Sequence, residues 1–380
     1  MAQRVSWEAL RRLASFRARR GCAISLYLKL DPSEAATAGD VATRINSLLD
    51  QGERSAGASR EGLGHDQRVG LKADFERIRS FFDTDFDREG MQGFALFVAG
   101  LDGAWSAVEL PKPVEDAICV GPDFLIAPLV PLASEPDGTI VVHVSREQGR
   151  VYRLLNGQLE EVADRSEEQP YGHHDQGGWS QARYARHVDK LVADHLKTVA
   201  DELELERRGG APKIVLVCGE ETRTEFLETL SKEARAAVVG WTNVEAHAGR
   251  AELRDAITPV LEHARAEDES ALVERWREEA GRGGRAASGW QDTLAAASDA
   301  RVATLLYELG AIREGYQCPQ CGRVSATNGA CPLDGTTMET RPDALDLAVH
   351  QTLGHGGTAL QLLHRHDLEP VEGVGALLRF

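Results

Sequence analysis

At 380 residues the chain exceeds one ordinary hydrophobic core and suits two or three domains of ~100–150 residues each. Its 42% hydrophobic and 27% charged residues are ordinary for a soluble globular protein, and no apolar run approaches the ~20 residues of a membrane span. A formal net charge of −17 argues against a protein that coats nucleic acid nonspecifically, because such binding neutralises phosphates, although local basic patches can still meet RNA.

The first 21 residues hold Arg4, Arg11, Arg12, Arg17, Arg19 and Arg20 against one acid, Glu8, a bias shared with organelle transit peptides. Trp7, Leu10, Leu13 and Ala14 recur at helical spacing, however, which predicts an amphipathic first helix. A buried strand is then expected over 22–30, helices over 41–49 and 67–82, and strands over 93–100, 105–110 and 124–132. A Glu-Pro-Asp-Gly turn at 135–138 marks a domain boundary.

Beyond it, strands are predicted over 139–145, 150–155 and 159–163, followed by a polar, acidic, glycine-rich stretch over 164–178. The clearest helix covers 180–207, where Tyr184, Val188, Leu191, His195, Val199 and Leu203 form one face. A strand over 213–218, a helix over 222–234, a strand over 237–241 and a helix over 251–264 complete a mixed-sheet α/β domain. The last third opens on a charged helix to residue 279 and a flexible loop over 281–289. A helix over 290–297, a strand over 302–309, a cysteine cluster over 318–334, a helix over 342–353 and strands over 359–363 and 374–380 follow. The expectation is an α/β chain of three domains, 1–137, 138–266 and 267–380.

Cys22, Cys119 and Cys218 sit singly in apolar runs and read as buried thiols, which points to a reducing cytoplasm. Cys318-Pro319-Gln320-Cys321 is a zinc-type knuckle, since two residues between thiolates let both reach one tetrahedral ion. Cys331-Pro332-Leu333-Asp334 repeats the spacing with Asp334 in the last place, and Gly322 and Gly335 close the two turns. His350 and His355 are the alternatives to Asp334 as fourth ligand, and a degenerate knuckle without metal is the rival reading. Either way the site reads as structural.

The segment GHHDQGGWSQARYAR over 172–186 concentrates unusual residues. Gly177-Gly178 ends the polar stretch, and Ser180 suits the N-cap of the long helix. Arg183, Arg186 and His187 sit in its first turns, against the positive end of the helix dipole. That placement fits either solvated side chains or an anionic partner such as an RNA backbone. His173, His174 and Asp175 read as a solvated loop, because nothing fixes their geometry. No serine-hydrolase elbow and no phosphate-cradling Gly-x-x-x-x-Gly-Lys motif occurs.

These residues resemble the archaeal-eukaryotic peptide chain release factor and Pelota superfamily. Its release factors carry a Gly-Gly-Gln loop, then Ser and a basic helix with an Arg-aromatic-Ala-Arg run. Here the order is Gly177-Gly178-Trp179-Ser180-Gln181-Ala182-Arg183-Tyr184-Ala185-Arg186. Trp179 stands where the glutamine would be, and the Gly178-Trp179-Ser180-Gln181 pattern is similar to the Gly-x-x-Gln of a bacterial, Vms-like branch. The stretch 213–228, the Gly-x-x-Asp-Thr-Leu at 289–294, Val-x-x-Leu-Leu at 302–306 and the closing 373–380 add to the likeness.

The resemblance implies a three-domain release-factor-like architecture with mixed-sheet domains and a zinc knuckle in the C-terminal one. It implies hydrolysis of the peptidyl-tRNA ester on stalled ribosomes or large subunits, with Gly177, Gly178, Ser180 and Gln181 at the reacting centre and Arg183, Arg186 and His187 on RNA. The partners it implies are the ribosomal peptidyl transferase centre and A site, tRNA, and a translational GTPase. A non-catalytic hibernation or rescue plug and a tRNA 3′-end nuclease are the alternatives. No Asn-Ile-Lys-Ser segment is found, so stop-codon reading is not expected.

Overall fold

A computed structural model describes the chain apart from residues 1–4, 32–36, 59–63, 89–90, 134–137, 156, 167–178, 209, 211 and 246–247. The protein is mixed α/β, with four sheets among the described residues. It divides into two compact units, one joining Met1–Glu135 to Ser270–Phe380, the other Pro136–Glu269.

The first unit begins with α1 (Trp7–Ala14), capped by the Ser6 hydroxyl, which accepts from the Ala9 N–H. Strand β1 (Ala23–Lys29) follows, then α2 (Ala38–Ala58), α3 (His65–Thr84), β2 (Gly93–Ala99), β3 (Ala104–Leu110) and β4 (Ala117–Gly121). The sheet order is β3-β2-β1-β4, with antiparallel pairing throughout. Because side chains alternate faces along a strand, Ile24, Leu26 and Leu28 of β1 meet Leu49, Phe75 and Ile78 of the helices. Ala23 and Tyr27 face the opposite side.

The strand expected over 124–132 is not one. Pro128 and Pro131 lack N–H donors for a ladder, and the segment folds as a 3-10 turn (Ala127–Leu129) running into α4 (Val130–Ala133). The buried Asp346 carboxylate accepts from the N–H groups of Ile126 (2.8 Å) and Ala127 (3.0 Å), which no ladder then satisfies.

The second unit opens with β5 (Ile140–Val144), β6 (Gly149–Leu155) and β7 (Gln158–Asp164), an antiparallel meander. Helix α5 (Trp179–Glu206) leads to β8 (Ile214–Val217), then α6 (Glu220–Thr229), α7 (Lys232–Ala237) and β9 (Val238–Thr242). The order is β7-β6-β5-β8-β9, and β5, β8 and β9 run parallel. Helices α5, α6 and α7 cover one face through Leu196, Val199, Leu203 and Phe226, and Leu253 and Ile257 of α8 (Arg250–Gly281) cover the other. The single helix expected over 222–234 is two, broken where the Ser231 hydroxyl caps α7 by accepting from the Ala234 N–H. Conversely, the helices expected on either side of residue 266 are the one helix α8, which accommodates Pro259.

The first unit resumes with β10 (Ala286–Ser288), α9 (Gly289–Ser298) and β11 (Val302–Glu308). A small sheet of β12 (Gly315–Gln317), β13 (Val324–Ser325) and β14 (Glu339–Arg341) follows, then α10 (Ala344–Gly354), β15 (Thr358–Leu362) and β16 (Val374–Leu378). The larger sheet runs β10-β16-β11-β15, with β11 and β15 parallel. Trp290, Leu294, Leu305, Tyr307 and Leu347 share one apolar core with Leu10, Tyr27, Phe97, Phe124 and Leu129 from the other end of the chain. No helix among the described residues is long and apolar enough to cross a membrane.

Two predictions follow from α10. Asp346→Ala strands two buried N–H groups, and chemical denaturation is expected to show a loss on the order of 2–4 kcal/mol. Asp343 caps α10 by accepting from Leu345 and Asp346, and burial, then the charge of Asp346, pushes its carboxyl up to about 6. The folded protein therefore holds a proton there that the unfolded chain has released, so this group's contribution falls as pH rises from ~4 through 6. Asp343→Asn keeps a capping oxygen, and its stability relative to wild type should rise across that window by at most about 3 kcal/mol. A difference that does not change with pH would refute the assignment.

Candidate functional site

The glycine motif leads into α5. Gly177 and Gly178 lie outside the described residues, as do His173, His174 and Asp175, and so do the side chains of Ser180, Gln181 and Arg183. The helix begins at Trp179, one residue ahead of the Ser180 cap position expected, so Trp179, Ser180 and Gln181 form its first turn. No acidic residue occupies that turn to complement the helix dipole. Arg186 and His187 are exposed on the next turn. Farther along, Val192, Leu196, Val199 and Leu203 seat the helix on the sheet, so its C-terminal half is fixed. The Arg165 guanidinium donates to Glu202 on the same helix at 2.9 Å.

The cysteine cluster is drawn together. One donor atom from each of Cys318, Cys321, Cys331 and Asp334 lies within 4.8 Å of the others. Cys321 Sγ is 3.5 Å from Cys331 Sγ, and Cys318 Sγ is 3.4 Å from Asp334 Oδ2. A tetrahedral zinc with bonds of ~2.0–2.3 Å separates its ligands by about 3.5–3.8 Å, so the donor set fits that ion in spacing and chemistry.

The two knuckles are built alike. Gly322 N–H donates to Cys318 O and Gly335 N–H to Cys331 O, each at 2.9 Å, while the N–H groups of Cys318 and Cys331 each donate at 2.8 Å, to Arg323 O and Thr336 O. Gly322 and Gly335 hold φ of 77° and 75°, a left-handed conformation that a Cβ makes costly. Cys318 and Cys331 are buried, and Cys321 and Asp334 form the outer rim. The Thr336 N–H donates to Asp334 and holds its carboxyl well below the usual range. Asp334 is thus an anion suited to a cation.

Neither histidine alternative belongs to this set. The ring nitrogens of His350 lie 3.2 Å from Ala14 O and 2.6 Å from Phe124 O, and His355 Nδ1 lies 2.8 Å from Gln351 O. Four donors close the site without an open position for substrate, which suits a structural role. The sequence reading also passed over a cleft in the second unit that involves His143. No spacing motif marks it, because its members come from separate strands and one helix.

Residues 125–269 match the bacterial archaeo-eukaryotic release factor family 10. A peptide chain release factor subunit 1 from Archaeoglobus fulgidus is 25% identical over 416 residues, spanning 100% of this chain and 98% of that protein. Similar solved structures include an archaeal translation termination factor, at 17% identity and TM-score 0.28, covering 99% of each chain. A ribosome-bound archaeal Pelota is similar at 12% identity and TM-score 0.40, covering 100% of this chain and 95% of that one.

Metal analysis of the purified chain is expected to find one zinc. Asp334→Ala should weaken zinc by more than the ~10–100-fold typical of losing an outer hydrogen-bond partner, and His355→Ala should leave it unchanged. Retention of zinc by Asp334→Ala together with its loss in His355→Ala would reverse the ligand assignment.

Proposed function

Starting from a chain that belongs to the release factor/Pelota-like superfamily, we propose that it is a ribosome-associated factor that hydrolyses the ester of peptidyl-tRNA. It acts in the cytoplasm on stalled ribosomes or large subunits, entering the A site and reaching the peptidyl transferase centre, with a translational GTPase as a further partner. The observation that carries this reading is the Gly177-Gly178-Trp179-Ser180-Gln181 run at the start of α5, inside the segment that matches the family.

Hydrolysis of an acylated tRNA end needs a positioned water and donors aimed at the developing oxyanion. Glycines at 177 and 178 let the backbone approach the crowded 3′ end, since they carry no Cβ. A glutamine is no general base at neutral pH, so Gln181 positions water and donates through its amide, with Ser180 beside it. Arg183, Arg186 and His187 then meet RNA phosphates, where charge-assisted hydrogen bonds are strongest. In this division of labour residues 1–137 and 267–380 are the flanking domains and 138–266 the acting one. The knuckle, with zinc held by Cys318, Cys321, Cys331 and Asp334, supplies rigidity to the C-terminal part and no chemistry.

Trp179 favours a second reading. A bulky indole in the family's glutamine position suits a plug that occupies the A site without releasing the chain.

Release of a nascent peptide from purified stalled complexes discriminates these. Wild type should liberate the peptide and leave the tRNA 3′ end intact, and Gln181→Ala should slow release on the order of 100-fold. Ribosome binding without release in wild type would establish the plug, and a shortened tRNA would establish a nuclease.

A further inference from the structure

In the second unit the parallel strands β5, β8 and β9 end on one edge of the sheet. Open α/β sheets offer a crevice for ligands at the carboxyl ends of their strands. Here the crevice is a cleft of about 340 Å³, lined among others by His143, Arg146, Glu147, Gly219, Thr222 and Asn243.

Two independent features point to what it holds. Helix α6 starts in the cleft, and its N-cap, Gly219, makes no side-chain capping hydrogen bond. First-turn N–H groups of a helix have no intrahelical partner, and together with the dipole they favour an anion. Opposite them, His143 is only 4% exposed, and its Nδ1 has no hydrogen-bond partner among the described residues. A buried polar atom left unpaired is costly, so a partner that enters the cleft is favoured. Burial, and then the nearby Arg150, hold the His143 pKa below the ordinary imidazole range, so the ring is neutral and donates through one nitrogen. Arg146 and Glu147 offset each other in formal charge, leaving recognition to the N–H and O–H donors of α6, His143, Thr222 and Asn243.

We propose that this cleft binds the phosphate of a small phosphomonoester of nucleotide size. The phosphate sits on the α6 N-terminus and His143, and the volume beyond it accepts the organic part. The site is separate from the glycine motif, and a binding measurement leaves the reading of peptide release untouched whichever way it falls.

Gly219→Asp is the decisive variant. A Cβ at Gly219 meets nothing within 4 Å, and its φ of −70° and ψ of 160° suit a capping side chain. The aspartate therefore caps α6 from within and puts its own carboxylate where the phosphate would lie. Calorimetric titration of the full chain with AMP should saturate in the wild type, and adenosine should give no binding. Inorganic phosphate should bind at least 10-fold more weakly than AMP. Gly219→Asp should weaken AMP at least 10-fold with no fall in Tm, and His143→Leu should weaken it likewise. No saturable AMP binding in wild type, equal affinity for AMP in Gly219→Asp, or phosphate binding as tightly as AMP would each overturn the proposal.

Discussion

Strands β1 and β2 are buried almost end to end, on both faces. A sheet of that kind cannot face water on either side, so it needs two covers. Helices α2 and α3 supply one. The other comes from the opposite end of the chain, where α9, α10 and β11 contribute Trp290, Leu294, Leu305 and Leu347 to a core shared with Tyr27 and Phe97. At roughly 25 cal/mol per Å² of apolar surface, closing that face is worth far more than any single polar contact in the unit. The discontinuous first unit is the consequence. Asp346 secures the junction by accepting the otherwise stranded N–H groups of Ile126 and Ala127, and His350 of the same helix reaches the Ala14 and Phe124 carbonyls.

The middle unit solves a different problem. Its meander of β5, β6 and β7 is antiparallel, and β8 and β9 then add in parallel beside β5. Parallel addition requires long crossovers, which α5 and the α6–α7 pair provide on one face. The same crossover places the start of α6 at the strand ends, beside His143. A helix as long as α5 is held by the apolar stripe of its C-terminal half, so the cationic N-terminal turns owe little to packing on the sheet. Fold and candidate chemistry are in this sense separable along one helix.

The cysteine cluster shows how little sequence such a site needs. Two turns of the same geometry, each closed by a glycine at positive φ, bring three sulfurs and one carboxylate to tetrahedral spacing. The small sheet of β12, β13 and β14 and the buried Met338 support it.

Local pattern was enough for much of this protein. Helical spacing marked α1 and α5, unbroken apolar runs marked β1, β2, β8 and β16, and two-residue gaps between cysteines marked the knuckles, because each depends on interactions within a few neighbouring residues. Where two local signals competed, the reading failed. The apolar run before Pro131 looked like a strand until its N–H groups found Asp346, and Ser231 divided a helix that periodicity had joined. The choice of Asp334 over His350 as the fourth donor, the joining of the chain's two ends in one core and the partnerless His143 in its cleft belong to the tertiary structure alone. Each depends on groups far apart in sequence meeting in space, and composition and periodicity carry no record of distance across the fold.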